Sequence, residues 1–138
     1  MVGFKALSDE EVKSKHSSAQ PEGSALKKQK IEDLLFINEK LREYQVLWDQ
    51  LEYMLHIDAE EMSYVYDWRL DAEKERRQQK GEANAMSDEQ VKKFVDGYIP
   101  AYELYTEGLR SEKWRNEAGR KLRFVVGKDR KVKEVETI

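Results

Sequence analysis

Cysteine is absent from the 138 residues, which excludes disulfides, thiolate chemistry and cysteine-based zinc sites. Histidine is scarce. His16 and His56 are the two present, and they sit in separate segments, which argues against a serine-histidine triad or a histidine-rich metal site. No metal ligands are assigned. No apolar run approaches the roughly 18 residues of a membrane span, and no charged-then-apolar leader is visible. The expected compartment is therefore the cytoplasm, with no membrane partner. No internal repeat or low-complexity tract interrupts the chain.

What is present suits a helix-rich domain. Charged residues make up 38% and hydrophobic residues 39%. The three Trp and seven Tyr supply aromatic mass that a disordered chain lacks. A chain of this length reads as one domain, residues 1–138, able to bury roughly two-thirds of its unfolded surface. The net charge of −3 hides an asymmetry. Nine basic residues fall between Lys113 and Lys133, against Glu117 and Asp129, while most of the acid lies between Asp9 and Glu89. Such a region can face water, a phosphate-bearing ligand or nucleic acid, in that order of preference. Without a helix-turn-helix or RNA-binding signature, nucleic acid is the weakest of the three.

Met1–Phe4 is a short apolar segment that fits the end of a strand. Ser8 and Glu11 form a capping box for a helix over about Asp9–Lys15, followed by a loop, His16–Ser24. Leu34, Ile37, Leu41, Tyr44, Trp48 and Leu51 recur at steps of three and four, predicting a core-facing helix over roughly Lys30–Trp48. Leu51–Ile57 alternates and is expected as a strand, with Asp58 and Glu61 capping a helix that runs from about Ala59 to Lys80. The second half of that helix is almost all charged and is expected to bury nothing. After a loose turn at Gly81–Ala85, Ser87 and Gln90 make another capping box. Val91, Phe94, Val95 and Tyr98 follow at helical spacing. Pro100 should kink this helix, leaving Tyr98, Tyr102 and Tyr105 on one side. Leu122, Phe124, Val125 and Val126, set among basic residues, read as a strand with solvated flanks.

Five motifs in order, VGFKALSDEE, INEKLREY, HIDAEEMSYVYDWRLDAE, FVDGYIPAYELYTEGLR and LRFVVGKDRKVKEV, carry a resemblance. From Val2 to about Val135 the chain resembles the C-terminal half of the glycerate-kinase-like P-loop kinases, relatives of the uridine and pantothenate kinases. The resemblance implies an α/β fold, a partial doubly wound sheet with two or three short parallel strands and about five helices. In the family's 2-3-1-4-5 sheet, Val2–Phe4 would be the tail of strand three, Leu51–Ile57 strand four and Leu122–Val126 strand five. Residues 62–86 would form the lid over the nucleotide phosphates. There Arg69, Arg76 and Arg77 supply the positive charge that a phosphoryl group needs as its oxygens develop charge. Arg69 could equally be a structural partner of Asp67, Glu73 or a neighbouring helix. Gly127, Lys128, Asp129 and Arg130 would contact the adenine base, and Tyr98 and Tyr102 are the candidates for substrate contact. ATP, Mg²⁺ and a small-molecule acceptor are the implied partners.

One family feature is missing. The phosphate loop G-x-x-x-x-G-K-[ST] cradles phosphates on its backbone N–H groups, yet none of Gly3, Gly23, Gly81, Gly97, Gly108, Gly119 or Gly127 begins or ends such a motif. The acidic E-G-W motif expected just before V-G-F is also absent. The expectation is thus a kinase fragment beginning at strand three and inactive alone. The alternative is a non-catalytic interaction module on the same scaffold. In either case the strands at 51–57 and 122–126 should pair in parallel under helices, with strand 2–4 frayed. The exposed strand edge would then invite self-association.

Overall fold

The structure, a computed structural model, describes residues 3–20, 22–81 and 85–138. Its sheet has three strands in the order β1-β2-β3: β1 (Met54–Ala59), β2 (Lys121–Val126) and β3 (Val132–Thr137). The first two pair in parallel, from Met54 opposite Lys121 to Ala59 opposite Val126. The expected pair is therefore present, with the first strand starting and ending later than the alternation suggested. The third strand is not Val2–Phe4. It is β3, which folds back antiparallel on β2 and makes the sheet mixed. Gly3 and Phe4 lie outside the sheet, and Val2 is outside the described residues.

The helices are α1 (Asp9–Ser18), α2 (Ile31–Glu43), the single turn α3 (Gln45–Trp48), α4 (Tyr64–Lys80), α5 (Asp88–Asp96) and α6 (Ile99–Ser111). Both serine capping boxes form. Ser8 and Glu11 close the start of α1, which runs through the first third of the expected loop, and Ser87 and Gln90 close the start of α5. The expected long helix breaks at Tyr44 into α2 and α3. Leu34, Leu41 and Trp48 of its stripe are buried, but Ile37 and Tyr44 are exposed. Their place on the inner face is taken by Asn38, which is fully buried. Asn38 accepts from the Leu7 N–H (3.0 Å), donates to the Leu7 carbonyl (2.8 Å) and accepts from the Tyr105 hydroxyl (3.1 Å). A polar residue can occupy a core position when each of its groups is so paired.

Pro100 does not kink a helix. It stands in the first turn of α6, where no N–H is required, and α5 has already ended at Gly97. The main core joins Phe4, Val12, Leu26, Leu34, Leu41, Leu104 and Tyr105, tying α1 and α2 to α6. A second cluster of Val91, Val95 and Ile99 packs against Met62, Val65, Tyr66 and Leu70 of the α4 region. Helix α6 leads into β2, and its C-terminal end is capped by Lys121. That side chain, 2% exposed, donates to the carbonyls of Leu109 (2.9 Å) and Glu112. Among the described residues, helices cover one face of the sheet. His56 and Asp58 are buried on that face, whereas Leu55, Ile57 and Val135 on the other are more than half exposed.

Candidate functional site

Because α6 ends at the start of β2, its first turns lie at the opposite end of the sheet, by the C-terminal ends of β1 and β2. Ligands of open α/β sheets bind at that end. A cleft of about 500 Å³ opens there, between β1 and α6, with Met62, Val65 and Trp68 closing its mouth. Tyr98 and Tyr102, the sequence's substrate candidates, both line it. Tyr98 is half exposed and packs edge-on against Phe94, while Tyr102 packs edge-on against Phe4. Tyr105 departs from them into the core. Apolar walls with a few convergent polar groups are the usual make-up of a small-molecule site.

The polar wall is one that sequence reading missed. Asp58 was expected to cap a helix, but it is a strand residue, 3% exposed, and its carboxylate is fully occupied. Arg110 donates to it from Nε (2.7 Å) and Nη2 (2.9 Å), and Arg123 from Nε (2.8 Å) and Nη2 (2.6 Å). Arg123 also reaches Glu136 at 2.5 Å. Burial alone would raise the Asp58 pKa. The hydrogen bonds from the two guanidinium groups outweigh it and hold the carboxyl below its ordinary value. Helix α4 consequently starts at Tyr64 with no side-chain cap. His56, two residues earlier on the same face, has its pKa lowered, first by burial and then by nearby Arg123, Lys121 and Arg110. Its Nδ1 has no hydrogen-bond partner, and neither does Oγ1 of Thr106, another lining residue. The available signal was two polar residues, His56 and Asp58, at the inward period of a strand whose flanks are apolar.

The remaining candidates fall on two sides of α4. Toward α5, Arg69 is bound to the buried Glu73 at 2.5 Å and lies over the Phe94 ring, 5.1 Å from its centre. Arg77 donates to the Met86 carbonyl (2.5 Å) and to Asp88 (2.7 Å), and Arg76 is exposed. The charged half of α4 thus buries a carboxylate and clamps the start of α5, contrary to the expectation that it buries nothing. Residues 82–84 of the expected lid lie outside the described residues. On the other side, the β2–β3 turn is latched to the first turns of α4. Lys128 pairs with Asp67 at 2.8 Å, the Trp68 indole donates to the Lys128 carbonyl at 2.8 Å, and Arg130 reaches Asp71 at 3.3 Å. Within that turn, Asp129 accepts from the Lys131 N–H at 3.2 Å, and Gly127 donates to the Lys131 carbonyl at 3.0 Å. Gly127–Arg130 are therefore brought together beside Trp68, while Arg69 and Arg77 stand apart from the cleft. Among the described residues no group of three or more His, Cys, Asp or Glu could hold a metal ion, and no helix is long and apolar enough to cross a membrane.

No family model matches the chain. Similar proteins nonetheless agree with one another. The chain is 38% identical over 81 residues to the uncharacterized kinase mug58 of Schizosaccharomyces pombe, a match over 57% of this chain and 28% of that one. It is 37% identical over 113 residues to the chloroplastic D-glycerate 3-kinase of Arabidopsis thaliana, over 81% of this chain and 21% of that one. The solved D-glycerate 3-kinase of Cryptococcus neoformans superposes on 99% of the chain with a TM-score of 0.89 at 34% identity, and 47% of that enzyme is covered. The chain thus spans about half the length of the solved relative and about a quarter of the two others. Its homologues are D-glycerate 3-kinase and related ATP-dependent kinases, and over the part of them that it covers its fold is the glycerate-kinase fold.

Proposed function

We propose that this chain forms the C-terminal part of an ATP-dependent small-molecule kinase, bearing the lid and the base-contacting turn but not the phosphate loop. The observation that carries this reading is the cleft at the C-terminal ends of the strands, flanked by α4 and by the 127–130 turn. In this reading Tyr98 and Tyr102 flank the phosphoryl acceptor. Gly127, Lys128, Asp129 and Arg130 face the adenine base, with Trp68 beside them. Residues 62–86 close over the nucleotide, and Arg69, Arg76 and Arg77 turn their charge toward its phosphates as they do so. Arginine suits that role because its planar fork matches phosphate oxygens. ATP would bring Mg²⁺ with it, held in part by its own phosphates. D-glycerate is the acceptor suggested by the names of the relatives.

A chimera tests the proposal. In it, this chain replaces the matched 47% of the Cryptococcus neoformans enzyme. The chimera should phosphorylate D-glycerate from ATP, while the 138-residue chain alone releases ADP only at background. A folded chimera that neither binds ATP nor turns over would overturn the reading, as would robust turnover by the chain alone. The rival reading, a non-catalytic interaction module, is favoured by one observation: among the described residues β1 is an edge strand with exposed apolar side chains.

A further inference from the structure

Helix α6 carries Tyr102, Thr106 and Arg110 at four-residue steps, a spacing that stacks side chains on one face of a helix. Opposite this ridge runs the segment that follows β1, and Arg110 ties the two together by donating to the Ala59 carbonyl at 3.3 Å. Between them lies a second hollow of about 500 Å³, with Glu60, Glu61 and Met62 on one side and the ridge on the other. Glu103 and Glu107 also border it, but both are engaged elsewhere. Glu103 accepts from the Ser24 hydroxyl (2.6 Å) and from the N–H groups of Ala25 and Leu26 (both 3.0 Å), and Glu107 pairs with Lys15 at 2.9 Å.

Groups of both signs are left over. The carboxylates of Glu60 and Glu61 are exposed and form no hydrogen bond or ion pair among the described residues. Thr106 is 7% exposed, and its hydroxyl has no partner. A buried hydroxyl in that state is uncommon, since burial ordinarily comes with a hydrogen bond. Arg110 commits Nε and Nη2 to Asp58 and Ala59, which leaves the two N–H bonds of Nη1. Its positive charge is only partly met, because the single charge of Asp58 is divided between Arg110 and Arg123.

A simple anion would meet Glu60 and Glu61 here, and a simple cation would leave Arg110 and Thr106 unanswered. An ammonium and a carboxylate on one carbon answer both, and the Tyr102 ring with Met62 offers an apolar wall beside them. We propose that this hollow binds a free α-amino acid with an apolar side chain. Its ammonium pairs with Glu60 and Glu61, and its carboxylate accepts from Arg110 Nη1 and from the Thr106 hydroxyl, a guanidinium being well matched to a carboxylate. The hollow shares Met62, Tyr102 and Thr106 with the neighbouring cleft, but the proposal does not depend on the kinase reading of that cleft.

Titration calorimetry of the whole chain with L-leucine tests the site. Two further probes each lack one charge of leucine: isocaproate has no ammonium, and isoamylamine has no carboxylate. The expected result is one-to-one binding of L-leucine with a Kd of about 1 mM or tighter, and binding of either single-charge probe weaker by about tenfold or more. Amide shifts in the NMR spectrum should centre on residues 60–62 and 102–110. The double variant Glu60→Gln, Glu61→Gln alters exposed side chains alone, so it should weaken L-leucine binding about tenfold and leave Tm unchanged. Thr106→Val removes a hydroxyl with no partner to lose, so Tm should hold or rise while binding falls about fivefold. Val46→Asp, an exposed change on α3, should leave binding unchanged. The proposal falls if L-leucine does not bind, or if the glutamate and threonine variants bind it like the wild type. It falls equally if isocaproate binds as well as L-leucine, which would mark an anion site, or if isoamylamine does, which would mark a cation site. Amide shifts centred on β1 and Tyr98 instead would place the ligand in the cleft and overturn it too.

Discussion

Arg69 illustrates how a residue picked for its chemistry acquires a second duty from packing. Its guanidinium neutralises Glu73, which is 1% exposed and also accepts from the Met86 N–H at 3.2 Å. Truncation would leave that carboxylate buried with one backbone donor. Arg69→Ala should therefore destabilise the chain by about 1–3 kcal/mol, lowering Tm by about 4 °C per kcal/mol, as read by thermal denaturation. If Tm is unchanged while the chimera loses kcat, the phosphate role is the dominant one. Acid stability offers a second check. Asp58 has a depressed pKa, so its contribution is present above the ordinary carboxylate value near 4 and is lost as pH falls through the lower folded value. His56 is also depressed, but as a base: below its ordinary value near 6.5 the unfolded chain takes up a proton that the folded one refuses. Stability should thus decline in two stages on acidification, one starting near pH 6.5 and one near pH 4. His56→Gln should remove the first stage alone, and a Tm that stays flat from pH 7 to 5 would contradict this account.

At the scale of elements, legibility followed how local the determining interaction is. The Ser87–Gln90 box spans four residues and was readable from spacing, as was the helical character of α1, α2, α4 and α6, while the parallel pairing of β1 with β2 was legible through the resemblance. The start of α4 was not, because Asp58 obeys Arg110 and Arg123, which are 52 and 65 residues away. β3 went unread because the charged Glu134 and Glu136 stand on the face shared with Arg123 and Asp58, and Glu136 is paired with Arg123, while Val135 on the other face is exposed, so the strand has no apolar inward stripe. Of the candidate site, the tyrosines and the 127–130 turn were legible through the resemblance. His56 and Thr106 were not, since no short-range pattern pairs a strand with a helix 50 residues on. Lys121 gives an element-scale measurement. It stands where an apolar strand residue is expected, and burial lowers its pKa, yet its ammonium satisfies carbonyls at the C-terminal end of α6. Lys121→Met keeps the volume and removes the donor. It should cost about 1–3 kcal/mol and speed amide exchange in the last turn of α6, and neither effect would appear if water replaces the ammonium freely.

For the molecule as a whole, the deciding fact is that its helices shield one face of the sheet. On the other face Leu55 lies opposite Leu122, Ile57 opposite Phe124 and Phe124 opposite Val135, so five apolar side chains share a surface. Leu55, Ile57 and Val135 are 59%, 68% and 54% exposed. Contiguous apolar surface of this kind marks an interface or an aggregation liability, and a sheet with parallel strands is ordinarily covered on both sides. The isolated chain should therefore bind a hydrophobic dye such as ANS, and its sedimentation should shift with concentration. Association here would run through side chains, so it should leave exchange at the β1 amides unchanged. The double variant Leu55→Lys, Val135→Lys should abolish dye binding and concentration dependence while leaving Tm within a few degrees, because neither residue belongs to the buried core. Monomeric, dye-silent behaviour of the wild-type chain would show that this face is self-sufficient, and would favour a module that never carried a second covering layer.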